Sequence, residues 1–138
     1  MNREACYTFF RLLPVMFITA IMTAAYTAAA QADARISNKW RIEFSEGANS
    51  DGDIVFRITP SGGPSIEVST PVSDGTRENR VASQVRDAFK AQLPDGAYHV
   101  EKDDGEDVLV KRRGDAPDFS LELISKSVKS VRIHIERE

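Results

Sequence analysis

The chain has 138 residues, with 18 Lys and Arg against 21 Asp and Glu and a formal net charge of −3. That length suits one domain of ordinary size, and the acidic balance with both signs interspersed argues against a phosphate-binding face, hence against nucleic acid as a partner. The single cysteine, Cys6, excludes an intrachain disulfide and a zinc–thiolate centre.

Residues 1–32 read as a signal peptide. A short start carrying Arg3 and Arg11 leads into an uncharged run from Leu12 to Ala30, followed by the small-residue site Ala30-Gln31-Ala32. Cleavage after Ala32 is expected. The alternative is an uncleaved anchor, since an uncharged run of about 19 residues is long enough to cross a bilayer. Its alanine- and threonine-rich end favours cleavage, and no Leu-x-x-Cys lipidation pattern adjoins the site. Residues 33–138 then form one small domain without a cysteine, held by packing alone.

Beyond a polar start, Trp40, Ile42 and Phe44 alternate with Arg41 and Glu43, the period of two of a half-buried strand. Ser45 to Gly52 is a loop. Asp53 to Thr59 alternates again, with Ile54, Phe56 and Ile58 on one face, and is expected to pair with the first strand as a hairpin. Pro60-Ser61-Gly62-Gly63-Pro64 turns the chain, because prolines and glycines at this density end a ladder. Ile66 and Val68 mark a short third strand.

From Thr76 to Leu93 the period changes. At about 100° per residue Val81, Ala82, Val85, Ala88, Phe89 and Leu93 share one arc, opposite Arg80, Gln84, Asp87 and Lys90. This is an amphipathic helix, with Thr76 as its expected N-cap, Glu78 favouring the dipole in the first turn, and Pro94-Asp95-Gly96 as its stop. Tyr98 to Glu101 and Val108 to Val110 follow as a hairpin with two candidate registers. A two-residue loop pairs Val100 with Leu109. A three-residue loop with Gly105 in the left-handed region pairs Val100 with Val108, sets Lys102 opposite Glu106, and is preferred because it gathers Tyr98, Val100, Val108 and Val110 on one face. Phe119, Leu121 and Leu123 form another strand, Ser125 to Ser130 a turn, and Val131, Ile133 and Ile135 the last strand. The expected fold is α+β: an antiparallel sheet of about six to seven strands with one helix, Thr76 to Leu93, packed on one face.

No motif specifies a reaction. Asn49 to Ile54 has the alternating oxygens of a calcium loop, but Gly47 and Ile58 stand where its first and last ligands belong, so a turn is favoured. The run Asp103, Asp104, Glu106, Asp107 reads as a solvated hairpin tip. His99 and His134 lie on polar strand faces without a partner spacing for a triad or a metal set. Lys111-Arg112-Arg113 with Lys126 and Lys129 reads as a solvated edge among acidic residues. Trp40 is in phase with the core.

Three stretches resemble a strand–strand–helix–strand–strand module of phage tail and virion-associated proteins: Ser50-Asp51-Gly52-Asp53-Ile54-Val55-Phe56-Arg57-Ile58, Asn79 to Phe89, and Val108-Leu109-Val110-Lys111. The resemblance spans about Trp40 to Leu123. It implies a structural and interaction unit with no active-site residues. This chain differs in its own signal segment, the lack of a tandem copy, and the extra strand from Val131 to Ile135.

The expectation is therefore an exported, periplasmic or secreted, binding module that is not an enzyme. No catalytic, cofactor or metal residues are assigned. Its partner is a protein or a cell-envelope macromolecule, without stable membrane insertion after cleavage. The alternative is an inhibitor of an enzyme, working through Pro60 to Pro64 or the tip at Asp103 to Glu106.

Overall fold

The computed structural model describes residues 35–138. The targeting segment read from the sequence lies outside the described residues. The elements are β1 (Lys39–Ser45), β2 (Gly52–Pro60), β3 (Ile66–Val72), α1 (Glu78–Gln92), β4 (Tyr98–Asp103), β5 (Asp107–Arg112), β6 (Phe119–Lys126) and β7 (Arg132–Arg137). The fold is α+β with one helix among these residues, as the periodicities imply.

The strands do not form one sheet. They form two antiparallel sheets, of order β4-β5-β1-β7 and β3-β2-β6. A helix about 10 Å across covers only two or three strands at about 4.8 Å spacing, so one seven-strand sheet would leave apolar strand faces in water. Two sheets solve this by facing each other. Accordingly, β1 and β2 are not the expected hairpin: β1 pairs with β5 and β7, and β2 with β3 and β6. Phe44 on β1 and Phe56 on β2 meet edge-on across the core, ring centroids 6.5 Å apart.

Helix α1 contacts β3 of one sheet and β1, β4 and β5 of the other. Its buried residues are Val81, Ala82, Val85 and Phe89, the arc expected from spacing. The Phe89 ring lies on Phe56 at 5.5 Å. Its start differs from expectation. Arg77 is the N-cap, without a side-chain cap bond. The Thr76 hydroxyl instead donates to the Ser73 carbonyl at 2.7 Å, and the Thr76 carbonyl accepts from Ala48 N–H at 2.7 Å, so this residue ties the helix entrance to the β1–β2 loop.

The β4–β5 hairpin has a three-residue connection, Asp104 to Glu106, with Asp104 and Gly105 at φ 42° and 78°. Its register is neither of the two anticipated: Val100 faces Val110, and Lys102 faces Val108. The shift is by two residues from the preferred pairing, and a period of two keeps Val100, Val108 and Val110 on the core face. Gly52 marks the other tight point. A Cβ there would lie 2.4 Å from the Val128 nitrogen, where the β6–β7 loop crosses the start of β2.

Candidate functional site

The two sides of the sandwich are closed differently. Where β3 and β4 are the outer strands, α1 packs against both. Where β6 and β7 are the outer strands, no helix of the described residues covers them.

Alternation along antiparallel strands decides which backbone groups point away from their own sheets there. Phe119 exchanges two hydrogen bonds of 3.0 Å with Ser37, so its N–H and C=O point away from β2. Leu121 and Leu123 point theirs the same way. On β7, Glu138 N–H donates to the Lys39 carbonyl of β1 at 3.2 Å, which places the groups of Ile133 and Ile135 on the opposite, open side. Two rows of strand donors and acceptors therefore flank one gap.

The gap is a groove with an apolar floor. Trp40, Leu121, Leu123 and Ile135 line one cavity of about 370 Å³ together with Arg35, Ser120 and Glu122, and Arg35, Trp40 and Ile135 also line an adjoining one of about 520 Å³. Trp40 is the anchor: it is 4% exposed and its Nε1 donates to the Phe119 carbonyl at 2.9 Å. Ser37 closes one end of the groove through its bridge to Phe119. The loop after β6 closes the other, where Lys126 donates to the Val131 carbonyl. Three large apolar side chains stay exposed nearby, Ile36, Leu123 and Ile124 at 46%, 37% and 39%. Ile124 is the extra residue of a bulge, because Phe56 pairs with Leu123 and Val55 with Ser125. Bulges of this kind turn an edge strand away from indiscriminate pairing.

Several of the other residues considered from the sequence have structural partners. Asp51 accepts the Asp74 N–H at 2.8 Å, so the calcium-like loop caps the turn before the helix. No group of three or more His, Cys, Asp or Glu side chains placed to hold a metal occurs among the described residues. Asp107 receives Arg41 at 2.6 Å, with Asp103 at 3.5 Å and Glu138 also in contact. Arg41 is thus surrounded by carboxylates on the outer face of the four-stranded sheet, and its hydrogen bond to Asp107, followed by that to Glu138, raises its pKa further. Nothing in the local pattern around Arg41 marks this, because its partners come from β5, the β4 end and the chain terminus. Lys39 and then Arg41 lower the Glu138 pKa; Lys111 and then His99 lower that of Glu101. His99 bonds Glu101 at 3.1 Å and Arg113 at 3.2 Å, and His134 lies 3.8 Å from Glu136. Lys111 meets Glu101 and Arg112 meets Asp118 at 2.7 Å, so these basic residues sit in pairs.

No protein-family model matches the chain, and no curated protein matches it in sequence.

A second concavity lies at the far end of the three-stranded sheet. Pro60, Pro64, Pro94 and Pro117 surround an apolar pit of about 340 Å³ beside Tyr98. Burial raises the Tyr98 pKa, and its ring meets Phe119 edge-on at 5.0 Å. The Pro60–Pro64 loop is braced here by Ser61 N–H donating to the Asp118 carbonyl at 2.8 Å.

Proposed function

We propose that this protein is an exported, non-catalytic binding module that takes a partner protein along the open edges of β6 and β7. The observation that carries the reading is the groove floored by Trp40, Leu121 and Ile135 between two rows of strand groups that have no sheet partner among the described residues. Backbone donors and acceptors give affinity to any extended segment, and the apolar floor gives it a face to bury. The resemblance to an interaction module of phage tails points the same way. The titratable groups support it too: His99 and His134 lie 3.1 Å and 3.8 Å from Glu101 and Glu136, with no nucleophile beside them.

The braced Pro60–Pro64 loop supports a second reading, an inhibitor that presents a rigid loop to an enzyme.

Affinity capture from envelope extracts separates these when wild type is compared with Ile133→Pro. By alternation the Ile133 N–H faces the open side, so proline there removes an edge donor while leaving the ladder to β1 whole. The expected result is a folded variant that loses the wild-type partner. A partner with hydrolase activity, retained by Ile133→Pro and lost on deleting Gly62 and Gly63, supports inhibition. Turnover of ester, peptide or glycan substrates by the purified protein, abolished by replacing His99 or His134, overturns both.

A further inference from the structure

We infer that the slot between α1 and the outer edge of β4 takes the carboxyl end of an extended peptide from a partner protein, lying antiparallel to β4. The slot is on the side of the sandwich opposite β6 and β7, so it stands or falls apart from the edge reading above.

The pleat of β4 is the first observation. Arg112 N–H donates to the Asn38 carbonyl at 2.9 Å, on the β1 side of β5, and Arg113 N–H donates to the Ala97 carbonyl at 2.9 Å, on the β4 side. Alternation then turns the backbone groups of His99 and Glu101 to β5, and those of Tyr98, Val100 and Lys102 away from it. No described residue bonds the N–H or C=O of Val100, although this residue is only 5% exposed. Backbone groups so nearly buried ordinarily have a partner. These lie at a cavity of about 280 Å³, whose apolar lining is Phe89, Leu93, Tyr98 and Val100.

Charge is the second observation. Two cations line the same cavity, and both lie at the end where β4 begins: Lys90 in the last turn of α1, and Arg113 beside Ala97. Unlike their neighbours Arg86, Lys111 and Arg112, neither makes an ion pair among the described residues. Asp95 is the one carboxylate in the lining, so the cations outnumber it. The negative end of the α1 dipole draws on Lys90, which leaves Arg113 as the anchor. Its position is fixed: Arg113 Nη2 donates to His99 Nδ1 at 3.2 Å, His99 Nε2 donates to Glu101 at 3.1 Å, and Glu101 accepts from Lys111. One guanidinium donor is used there and the others remain for a ligand.

Direction and length follow. At the far end of β4 stand Asp103, Asp104 and Glu106, which repel a carboxylate. An antiparallel strand brings its carboxyl end to the start of β4, beside Arg113, whereas a parallel one brings its amino end. The lining reaches no further along β4 than Val100, and beyond it Lys102 Nζ donates to Ser83 Oγ of α1 at 3.2 Å. This gives room for a chain end and not for a strand that runs through. The apolar lining favours an apolar last residue.

The test uses labelled six-residue peptides of alternating serine and valine that end on valine, one with a free carboxylate and one amidated, with acetate as competitor. Binding is read by fluorescence anisotropy, and amide exchange is followed on the protein. The free acid is expected to bind at least about tenfold more tightly than the amide. It should slow exchange at Tyr98 and Val100, with little change at His99 or Glu101, already bonded to β5. Arg113→Gln should remove the preference for the free acid, and Arg113→Lys should restore only part of it, because lysine lacks the fork that matches a carboxylate. Arg113 is exposed, and thermal melts check that both variants fold. Equal binding of acid and amide, or a preference that survives Arg113→Gln, overturns the proposal. Binding without protection of Tyr98 and Val100 is surface adsorption and overturns it, as does absence of binding. Displacement of the peptide by acetate at equal concentration makes this a site for small free acids, and protection that grows with protein concentration alone assigns it to a second copy of the chain. Either overturns the chain-end reading.

Discussion

Trp40 on β1 donates its indole N–H to the carbonyl of Phe119 on β6 at 2.9 Å, joining the two sheets by a buried side-chain hydrogen bond. The same carbonyl accepts from Ser37, so this oxygen holds the N-terminal segment, the four-stranded sheet and the three-stranded sheet together. Trp40→Phe removes the indole donor and leaves the carbonyl one partner, which is expected to cost about 0.5–1.5 kcal/mol. Trp40→Ala removes the groove floor as well and should cost about 3–5 kcal/mol. Urea unfolding of the two variants checks the pair: no loss in Trp40→Phe would show that packing alone matters here, and equal losses that the hydrogen bond does.

Phe89→Ala should be among the most damaging core changes. Its ring is fully buried against Phe56, on the helix that bridges both sheets. Truncation is expected to cost about 3–5 kcal/mol in denaturant melts. A loss below about 1 kcal/mol would mean that α1 does not hold the sheets together.

Gly52→Ala tests the loop crossing. The added Cβ meets backbone, at 2.4 Å from the Val128 nitrogen, so either β2 or the β6–β7 loop must shift. A loss of about 1–3 kcal/mol is expected, measured by thermal or urea unfolding. Unchanged stability would show that the loop moves freely over the strand.

The protein should lose stability on acidification. The pKa values of Glu138 and Glu101 are lowered in the folded state by Lys39 with Arg41, and by Lys111 with His99. Below the ordinary carboxylate range the unfolded chain binds more protons than the folded one, so stability rises with pH. The contribution is complete at neutral pH and is lost as pH falls through the folded values. Thermal midpoints should therefore drop from about pH 5 towards pH 3. The double variant Glu101→Gln, Glu138→Gln should start lower at pH 7 and fall less steeply.

Millimolar calcium should leave the melting temperature unchanged relative to chelator. Asp51 is committed to the Asp74 N–H, and Asp103 and Asp107 to Arg41. A calcium-dependent rise would show a site that forms by displacing these contacts.

Period, more than anything else, carries the fold from the sequence. The alternation of Trp40, Ile42 and Phe44, of Ile54, Phe56 and Ile58, and the helical arc from Val81 to Leu93 determine each element and its buried face, because facing depends only on neighbours along the chain. Partner choice does not. Whether β2 lies beside β1 or across the core from it depends on how much apolar face one short helix can cover, a property of the whole domain. The β4–β5 register shows the same division: alternation sets which side chains are inside, while the position of the turn sets which residues are opposite. The groove between β6 and β7 is further still from local pattern. Its floor joins Trp40 to Leu121, Leu123 and Ile135, and among the described residues the one helix, α1, packs on the opposite side of the sandwich. The sequence by itself determined the strands, the helix and their apolar faces, since these follow from local stereochemistry; only the tertiary structure decided which strands pair and which edges α1 covers, since that is settled by long-range packing.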